Sequence, residues 1–327
     1  MSIRKTESRI PAGLSATDLG EAVNAADNKS VLVSYVTSPL VNDRENCYVL
    51  FVTDTALGSA VENYEWSVSE NGGAVVTSTT SIPEFKYKPS AIGDTIVTVK
   101  LLGAGNAELG SIAISQVIVE LNFELEDLIT AAKDEPGPGI GNVDVARELV
   151  NDHNPYYQSI TPSSAEPPEP FKHFIFSMTS DGVLVRKPED RNRQLRELAT
   201  SLNTGEGDFA SLAAQGGGVC NIRLSMLAMI IPGALPWTEI PETSPEKANA
   251  DHALRQTLAG LDDNKKIDLY NIVRFPKSNI SYCAKITEAI RDKYFAGVNF
   301  EDVMTGMSGT RAHWILKHYS EGPIIRS

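Results

Sequence analysis

The stretch Tyr64-Glu65-Trp66-Ser67-Val68 alternates large apolar residues with polar ones, which is the period-two pattern of a half-buried β-strand. The same alternation returns at residues 85–87, 95–101 and 111–121. Turn-forming segments separate these strands at intervals of roughly ten residues, as they do in antiparallel sandwiches: Asn71-Gly72-Gly73, Lys88-Pro89-Ser90, Ile92-Gly93-Asp94 and Gly103-Ala104-Gly105-Asn106. The stretch therefore predicts an all-β sandwich.

Two β-rich segments lie upstream of this stretch, at residues 31–36 and 47–52. They bring the expected number of strands to about seven between residues 29 and 122. Residues 1–28 mix small and polar side chains with weak periodicity, apart from a segment at 16–23 that could form a short helix. We predict a mobile or docking arm at 1–28 and the sandwich at 29–122.

Three features of the sandwich stretch carry a resemblance to a family of domains. Trp66 follows the aromatic Tyr64 by two positions, residues 83–89 read Pro-Glu-Phe-Lys-Tyr-Lys-Pro, and Gly93-Asp94 leads into a run of β-branched residues. Together these features resemble a PKD-type immunoglobulin-like domain. The resemblance implies that Trp66 is a core residue and that the domain serves adhesion, spacing or display. Modules of this type recur in phage tails and contractile injection particles.

The composition changes beyond Leu121. Residues 123–129 and 142–150 have helical spacing, and the Pro- and Gly-rich segment 134–139 breaks the chain between them. Residues 162–170 contain four prolines and favour an extended linker. We predict that residues 123–170 form a helical and Pro-rich connector.

The remaining residues, 171–327, predict a mostly helical C-terminal domain with a small β element. The β element is a hairpin of residues 173–178 and 183–186, joined by a turn with the Asp181-Gly182 signal. Residues 262–266 are interpreted as a helix end and turn. Helices are expected at 191–202, 220–231, 252–261, 279–295 and 300–318.

Composition and charge exclude several classes of partner. The chain has 327 residues, of which 42% are hydrophobic and 22% charged, which is typical of globular domains. Its net charge is −13, and phosphate groups need clustered cations, so nucleic acids and anionic membranes are disfavoured. We expect a protein partner, for which the acidic surface suits a basic one or serves solubility, and the oligomeric state stays open.

The three cysteines, Cys47, Cys220 and Cys283, are too few and too widely spaced for a secreted disulfide framework. None has the spacing of a zinc ligand, and no motif indicates a cofactor. The N-terminal residues lack the apolar run of a Sec signal, and the longest apolar run, 224–235, is too short for a membrane span. We therefore predict synthesis in the cytoplasm, followed by incorporation into a particle or export by a route that reads no Sec signal.

One segment carries a hypothesis of catalysis. Gly216-Gly217-Gly218-Val219-Cys220 precedes an apolar run, and a thiol in the first turn of a helix has a lowered pKa. The segment is faintly similar to that of transglutaminase-like enzymes, which implies a nucleophilic Cys220 with a histidine base. His313, beside Trp314, is the best candidate for that base, and His173 and His318 are the others. The alternative is a core thiol next to a flexible glycine turn.

Two functions follow from these observations. The first is a structural or interaction protein, a component or cargo of a phage-tail-like or contractile injection particle. The second is a cysteine-dependent hydrolase or acyltransferase with an immunoglobulin-like targeting domain. Fast alkylation of Cys220 relative to Cys47 and Cys283 would favour the second.

Overall fold

The computed structural model describes residues 4–37, 39, 41, 45–120, 155–180, 188–242, 245–304 and 309–325. The chain divides into two compact units. The first, here the sandwich unit, contains residues 1–122 and 275–277. The second, here the helical unit, contains residues 123–274 and 278–327. The predicted helices at 123–129 and 142–150 and the breaker at 134–139 lie outside the described residues.

The sandwich unit contains two four-stranded antiparallel sheets. The order is β1-β2-β3-β6 in the first sheet and β5-β4-β7-β8 in the second. The strands are β1 Glu21–Asn24, β2 Ser30–Ser34, β3 Asn46–Val52, β4 Asn63–Glu70, β5 Val75–Thr80, β6 Glu84–Tyr87, β7 Gly93–Leu102 and β8 Glu108–Ile118. The predicted N-terminal β-sheet architecture is confirmed, and the described residues add β1 and β5 to the strands expected from the sequence.

The core lies between the two sheets because the alternating residues of each sheet face each other. Trp66, fully buried on β4, stacks on Phe85 of β6 with the ring centroids 5.3 Å apart. Its indole N–H donates to the hydroxyl of Thr80 at 2.9 Å, which satisfies the polar edge of the ring. Trp66 therefore lies in the core between the two sheets.

A buried polar network joins the two sheets at one end of this core. Gln116 of β8 accepts a hydrogen bond from the Tyr48 hydroxyl at 2.9 Å and donates to the carbonyl of Val36 at 2.7 Å. Asn46 and Ser34 complete the network, with Asn46 Nδ2 donating to Ser34 Oγ at 2.7 Å. Burial raises the pKa of Tyr48 to about 12, so the phenol stays protonated and remains a donor at neutral pH.

The stretch assigned from the sequence to an N-terminal arm contains regular structure. Helix α1, Ala16–Leu19, begins at a capping box of Ser15 and Asp18 and is followed directly by β1. Leu19 is fully buried and packs with Val31, Val33 and Phe51 on the face of the first sheet that points away from the sandwich core. The two inner strands of this sheet, β2 and β3, are thus buried on both faces, whereas the outer strands β1 and β6 are mostly half-buried.

The helical unit is built from short and medium helices, which confirms a mostly helical C-terminal region. After α2, Thr55–Ala60, in the sandwich unit, the helices are α3 Pro168–Ser180, α4 Pro188–Thr204, α5 Phe209–Ala213, α6 Leu224–Ile230, α7 Glu246–Ala259, α8 Asp263–Arg274, α9 Pro276–Tyr294, α10 Phe300–Met304 and α11 Gly309–Glu321.

The first half of the predicted hairpin is wrong, because residues 173–178 lie inside α3. Phe171, Phe174, Ile175 and Met178 are all fully buried and follow the i, i+3, i+4, i+7 spacing of one helix face. The second half, 183–186, lies outside the described residues. The β pairing seen among the described residues of the helical unit consists of two isolated bridges, Gly217 to Ile222 and Ile240 to Ile324.

The interpretation of residues 262–266 as a helix end is also wrong, because α8 begins there. The carboxylate of Asp262 accepts the backbone N–H of Lys265 at 2.9 Å, which is the bond of an N-terminal cap. The predicted long helix at 300–318 comprises α10 and α11, and residues 305–308 between them lie outside the described residues.

The extended linker predicted at 162–170 is wrong for its last three residues, which begin α3. Residues 163–166 are anchored to the helical unit by two buried carboxylates. Glu166 forms an ion pair with Arg291 of α9 and accepts the backbone N–H of Phe300 at 2.6 Å. Glu288, also on α9, accepts the backbone N–H of Ser163 at 2.7 Å. The side chains of Glu166 and Arg291 are only 6% and 5% exposed, so this ion pair is shielded from solvent. We call these residues the Glu166–Arg291 cluster.

Candidate interaction site

The glycine turn before Cys220 is folded around one buried side chain, Asn279 of α9. The Asn279 amide accepts the backbone N–H of Cys220 at 2.8 Å and donates to the carbonyls of Gly217 at 3.2 Å and Val273 at 2.9 Å. Gly218 has a φ of +72° and lies so close that a Cβ there would meet Asn279 Nδ2 at 2.1 Å. Glycine at position 218 is therefore required by the packing of the turn.

Cys220 does not lie in the first turn of a helix. Helix α6 begins at Leu224, and Arg223 is its N-cap residue, so the predicted helix start at residue 220 is wrong. The thiol-bearing residue is 2% exposed, and its carbonyl accepts the hydroxyl of Tyr319 at 2.8 Å. Burial raises the pKa of the Tyr319 phenol, which keeps it a donor. This environment is that of a structural core residue.

The candidate bases lie in three different environments. His313 is exposed on α11, and His173 is half-buried on α3. His318 is fully buried, stacks on Tyr294 with centroids 3.9 Å apart, and accepts the backbone N–H of Ile324 at 3.0 Å. The pairing of Cys220 with His313 thus stays a sequence prediction, and the burial of the thiol argues against it.

The burial of the cysteines predicts slow alkylation of the folded chain. Cys47, Cys220 and Cys283 are 8%, 2% and 0% exposed, and none forms a disulfide. We expect iodoacetamide at neutral pH to modify all three slowly and at similar rates, as followed by mass spectrometry of proteolytic peptides. A Ser115→Cys variant, whose new thiol is exposed on β8, is the fast-reacting control. Rapid modification of Cys220 in the folded chain would revive the enzyme hypothesis.

One pocket in the helical unit is lined by charged side chains. Arg223, Asp251, Arg255 and Glu321 surround a volume of about 20 Å³. This volume holds little more than one water molecule. The pocket is therefore too small to accommodate an organic substrate.

Strand β5 of the sandwich unit is an outer strand whose backbone edge carries no charged residue and no proline. Its sequence, Val75 to Thr80, reads VVTSTT, with five β-branched residues among six and neither a charge nor a proline. Every residue of the strand is exposed except Thr80, which is half-buried. It is an outer strand of its sheet, paired on one side with β4. Within the described residues, no named strand pairs with its other side.

Apolar side chains surround this edge. Val76 lies directly opposite Val68, which is 1% exposed, yet Val76 itself is 56% exposed. The core-facing side of β4 is therefore buried, whereas the same side of β5 is open to solvent. Val75 and Ile82, which lies two residues beyond the end of β5, are also large exposed hydrophobic residues, at 60% and 40%. We call β5 together with Ile82 the β5 edge.

The other three outer strands carry features that hinder pairing with another chain. Strand β6 has four residues, including Glu84 and Lys86, and β1 has four residues and begins at Glu21. Strand β8 has a β-bulge at Leu109, and beyond its far end Val119 exchanges backbone hydrogen bonds with residues 39 and 41. The β5 edge has none of these protections.

Comparisons with known proteins add little to this geometry. No protein-family model and no curated protein matches the chain. A solved structure of a β-1,2-glucanase from Parabacteroides distasonis is similar at a TM-score of 0.25 and 11% sequence identity, over 68% of this chain. This chain spans 33% of the glucanase, and a similarity this distant carries no argument about fold or activity.

Two further findings bear on the kind of site. The described helices include none that is both long enough and apolar enough to cross a membrane. In the part of the chain that the structure describes, no group of histidine, cysteine and acidic residues is arranged to hold a metal ion. The β5 edge is the surface whose geometry indicates an interaction most directly.

Proposed function

We propose that this chain is a structural or interaction protein, and that it acts as a component or cargo of a phage-tail-like or contractile injection particle. Its PKD-like, immunoglobulin-like sandwich docks to protein, and the helical unit is the part that it presents or carries. The β5 edge is the observation that supports this proposal, because an uncharged outer strand can accept a strand from another chain.

The chemistry of the edge explains how docking would occur. A strand added beside β5 gains backbone hydrogen bonds along its length, and side chains at alternate positions meet the exposed valines. The enzyme alternative lacks a comparable supporting observation, since the thiol of its nucleophile is buried.

Sedimentation of intact particles from cells that produce them tests the proposal. We expect an antibody against this chain to detect it in the particle fraction, and a Val76→Lys variant to be depleted from that fraction. Ser115→Lys is the matched control, since it places the same charge on the opposite outer strand of the same sheet. Recovery of the chain only outside the particle fraction would contradict the proposal.

A further inference from the structure

We propose that the occupant of the β5 edge is a second copy of this chain, paired antiparallel to β5 about a two-fold axis. The sheet β5-β4-β7-β8 of one copy would then join the same sheet of the second copy, which gives one continuous sheet of eight strands. This inference rests on the proposed interaction function and names the partner of that site.

The alternation of β5 restricts where the axis can pass. Val75, Thr77 and Thr79 lie opposite Ser69, Ser67 and Glu65 of β4, whereas Val76, Ser78 and Thr80 lie opposite its buried residues. Residues directly opposite each other in a sheet point to the same face. A two-fold axis that pairs most of β5 with its copy therefore passes between the two copies of Thr77 or between the two copies of Ser78. Either register places valine opposite Thr or Ser residues.

The lack of charge on β5 makes this surface compatible with a second copy of the acidic chain. Two chains of net charge −13 repel each other, so self-association needs a surface without acidic side chains. Strand β5 has no charge, and Glu65 on the neighbouring strand is neutralised by Lys100 at 2.9 Å. Glu70, at the turn end of β4, accepts two hydrogen bonds from Ser90. A cationic strand would find no carboxylate on β5 itself to pair with.

The exposed valines supply a reason for the pairing to be stable. When the axis lies at Ser78, Val76 is opposite Thr80 of the second copy. Both residues are on the face that continues the sandwich core, so the cores of the two copies extend toward each other. Burial of Val76 and Ile82 removes exposed apolar surface from water. A two-fold dimer uses the β5 edge of both copies, so no further copy can add at this surface.

The first experiment measures the mass of the purified full chain by sedimentation equilibrium at several protein concentrations. We expect twice the chain mass of 35.4 kDa at high concentration. Raising the NaCl concentration from about 0.05 M to about 0.5 M should strengthen the dimer, because salt screens the repulsion between two acidic chains. Association that weakens with salt, or growth beyond two copies, would overturn the inference.

Matched variants locate the interface. Thr77→Lys brings two ammonium groups together near the axis and should weaken dimerisation by about tenfold or more. Ser115→Lys adds the same charge to the opposite outer strand, about 14 Å away across the sheet, and should leave dimerisation unchanged. Circular dichroism confirms that both variants remain folded. Equal dimerisation of the two variants would overturn the assignment to β5.

Disulfide trapping determines the register. Thr77→Cys or Ser78→Cys at the axis places two thiols in directly opposite positions, a separation that a disulfide can span. The three native cysteines are buried and do not compete. We expect rapid formation of a covalent dimer in one of the two variants and none in Ser115→Cys. If both variants stay monomeric while the chain still sediments with particles, self-pairing fails and the proposed function stands.

Discussion

Replacing Gly218 with alanine is expected to destabilise the helical unit by about 3 kcal/mol or more. A Cβ at this position would lie 2.1 Å from Asn279 Nδ2 and 2.2 Å from the carbonyl oxygen of Val273, and the residue has a φ of +72°. Asn279 is fully buried and bonds to three backbone groups, so a displacement of its side chain would break these hydrogen bonds. Chemical denaturation followed by far-UV circular dichroism, which reports mainly the helices, measures the loss.

Gly205→Ala is the matched control for this prediction. Gly205 has a similar φ of +76°, but a Cβ there would meet no atom within 4 Å. Its substitution should therefore cost only the backbone strain of a left-handed residue, about 1 kcal/mol. Equal losses for the two variants would show that the contact with Asn279 contributes nothing.

Replacing Arg291 with glutamine should cost about 3–5 kcal/mol of stability, because it leaves two buried carboxylates without their cation. The Arg291 guanidinium pairs with Glu166 and lies 4.7 Å from the centre of the Phe300 ring, which it covers. Glu169→Gln is the control, since it removes the pair with Lys172 by changing a side chain that is 65% exposed. That control should cost less than about 1 kcal/mol.

The same cluster predicts a loss of stability in acid. Burial opposes ionisation of Glu166, but hydrogen bonds from Ser164, Phe300 and Arg291 outweigh it and lower the pKa of this carboxyl below its ordinary value. The ionised Glu166 carboxyl therefore stabilises the folded state fully above its unfolded pKa of about 4.3. This stabilisation is lost as the pH falls through the lower pKa of the folded state. Unfolding measured from neutral to acidic pH should show this decline, and Glu166→Gln should flatten it. An unchanged acid profile in Glu166→Gln would contradict the assignment.

The strands that the sequence predicted from an alternating pattern are those with one buried and one exposed face, whereas β2 and β3 were predicted from their β-rich composition and are buried throughout. Tyr64, Trp66 and Val68 of β4 alternate with polar residues because only one face of that strand packs on the core. Strand β5 does not alternate between apolar and polar residues, because nearly all its residues are exposed. Its sequence therefore lacks the period-two pattern that indicates a strand. The surface that now supports a function was for this reason the part of the sandwich least visible in the sequence.

The errors in the helical unit have similarly local causes. Around Phe174 and Phe176 the dense apolar residues also fit an alternating pattern, although the spacing from Phe171 to Met178 is helical. The pattern around Asp262 also fits the end of a helix, because acidic residues and asparagine favour turns as well as helix N-caps. The role of Asn279 depends on contacts with Cys220 and Gly217, about sixty residues away in sequence, which no local pattern reveals.

The Gln116 network also determines how the sandwich would respond to force. Gln116 connects β8 to Tyr48 and to the carbonyl of Val36, and Val119, just beyond the strand, bonds to residues 39 and 41. A pull along β8 would load these bonds in parallel, so they would have to break together rather than one after another. The end of β8 is thus held by side-chain and backbone hydrogen bonds together, so we expect it to resist being pulled out of the sandwich.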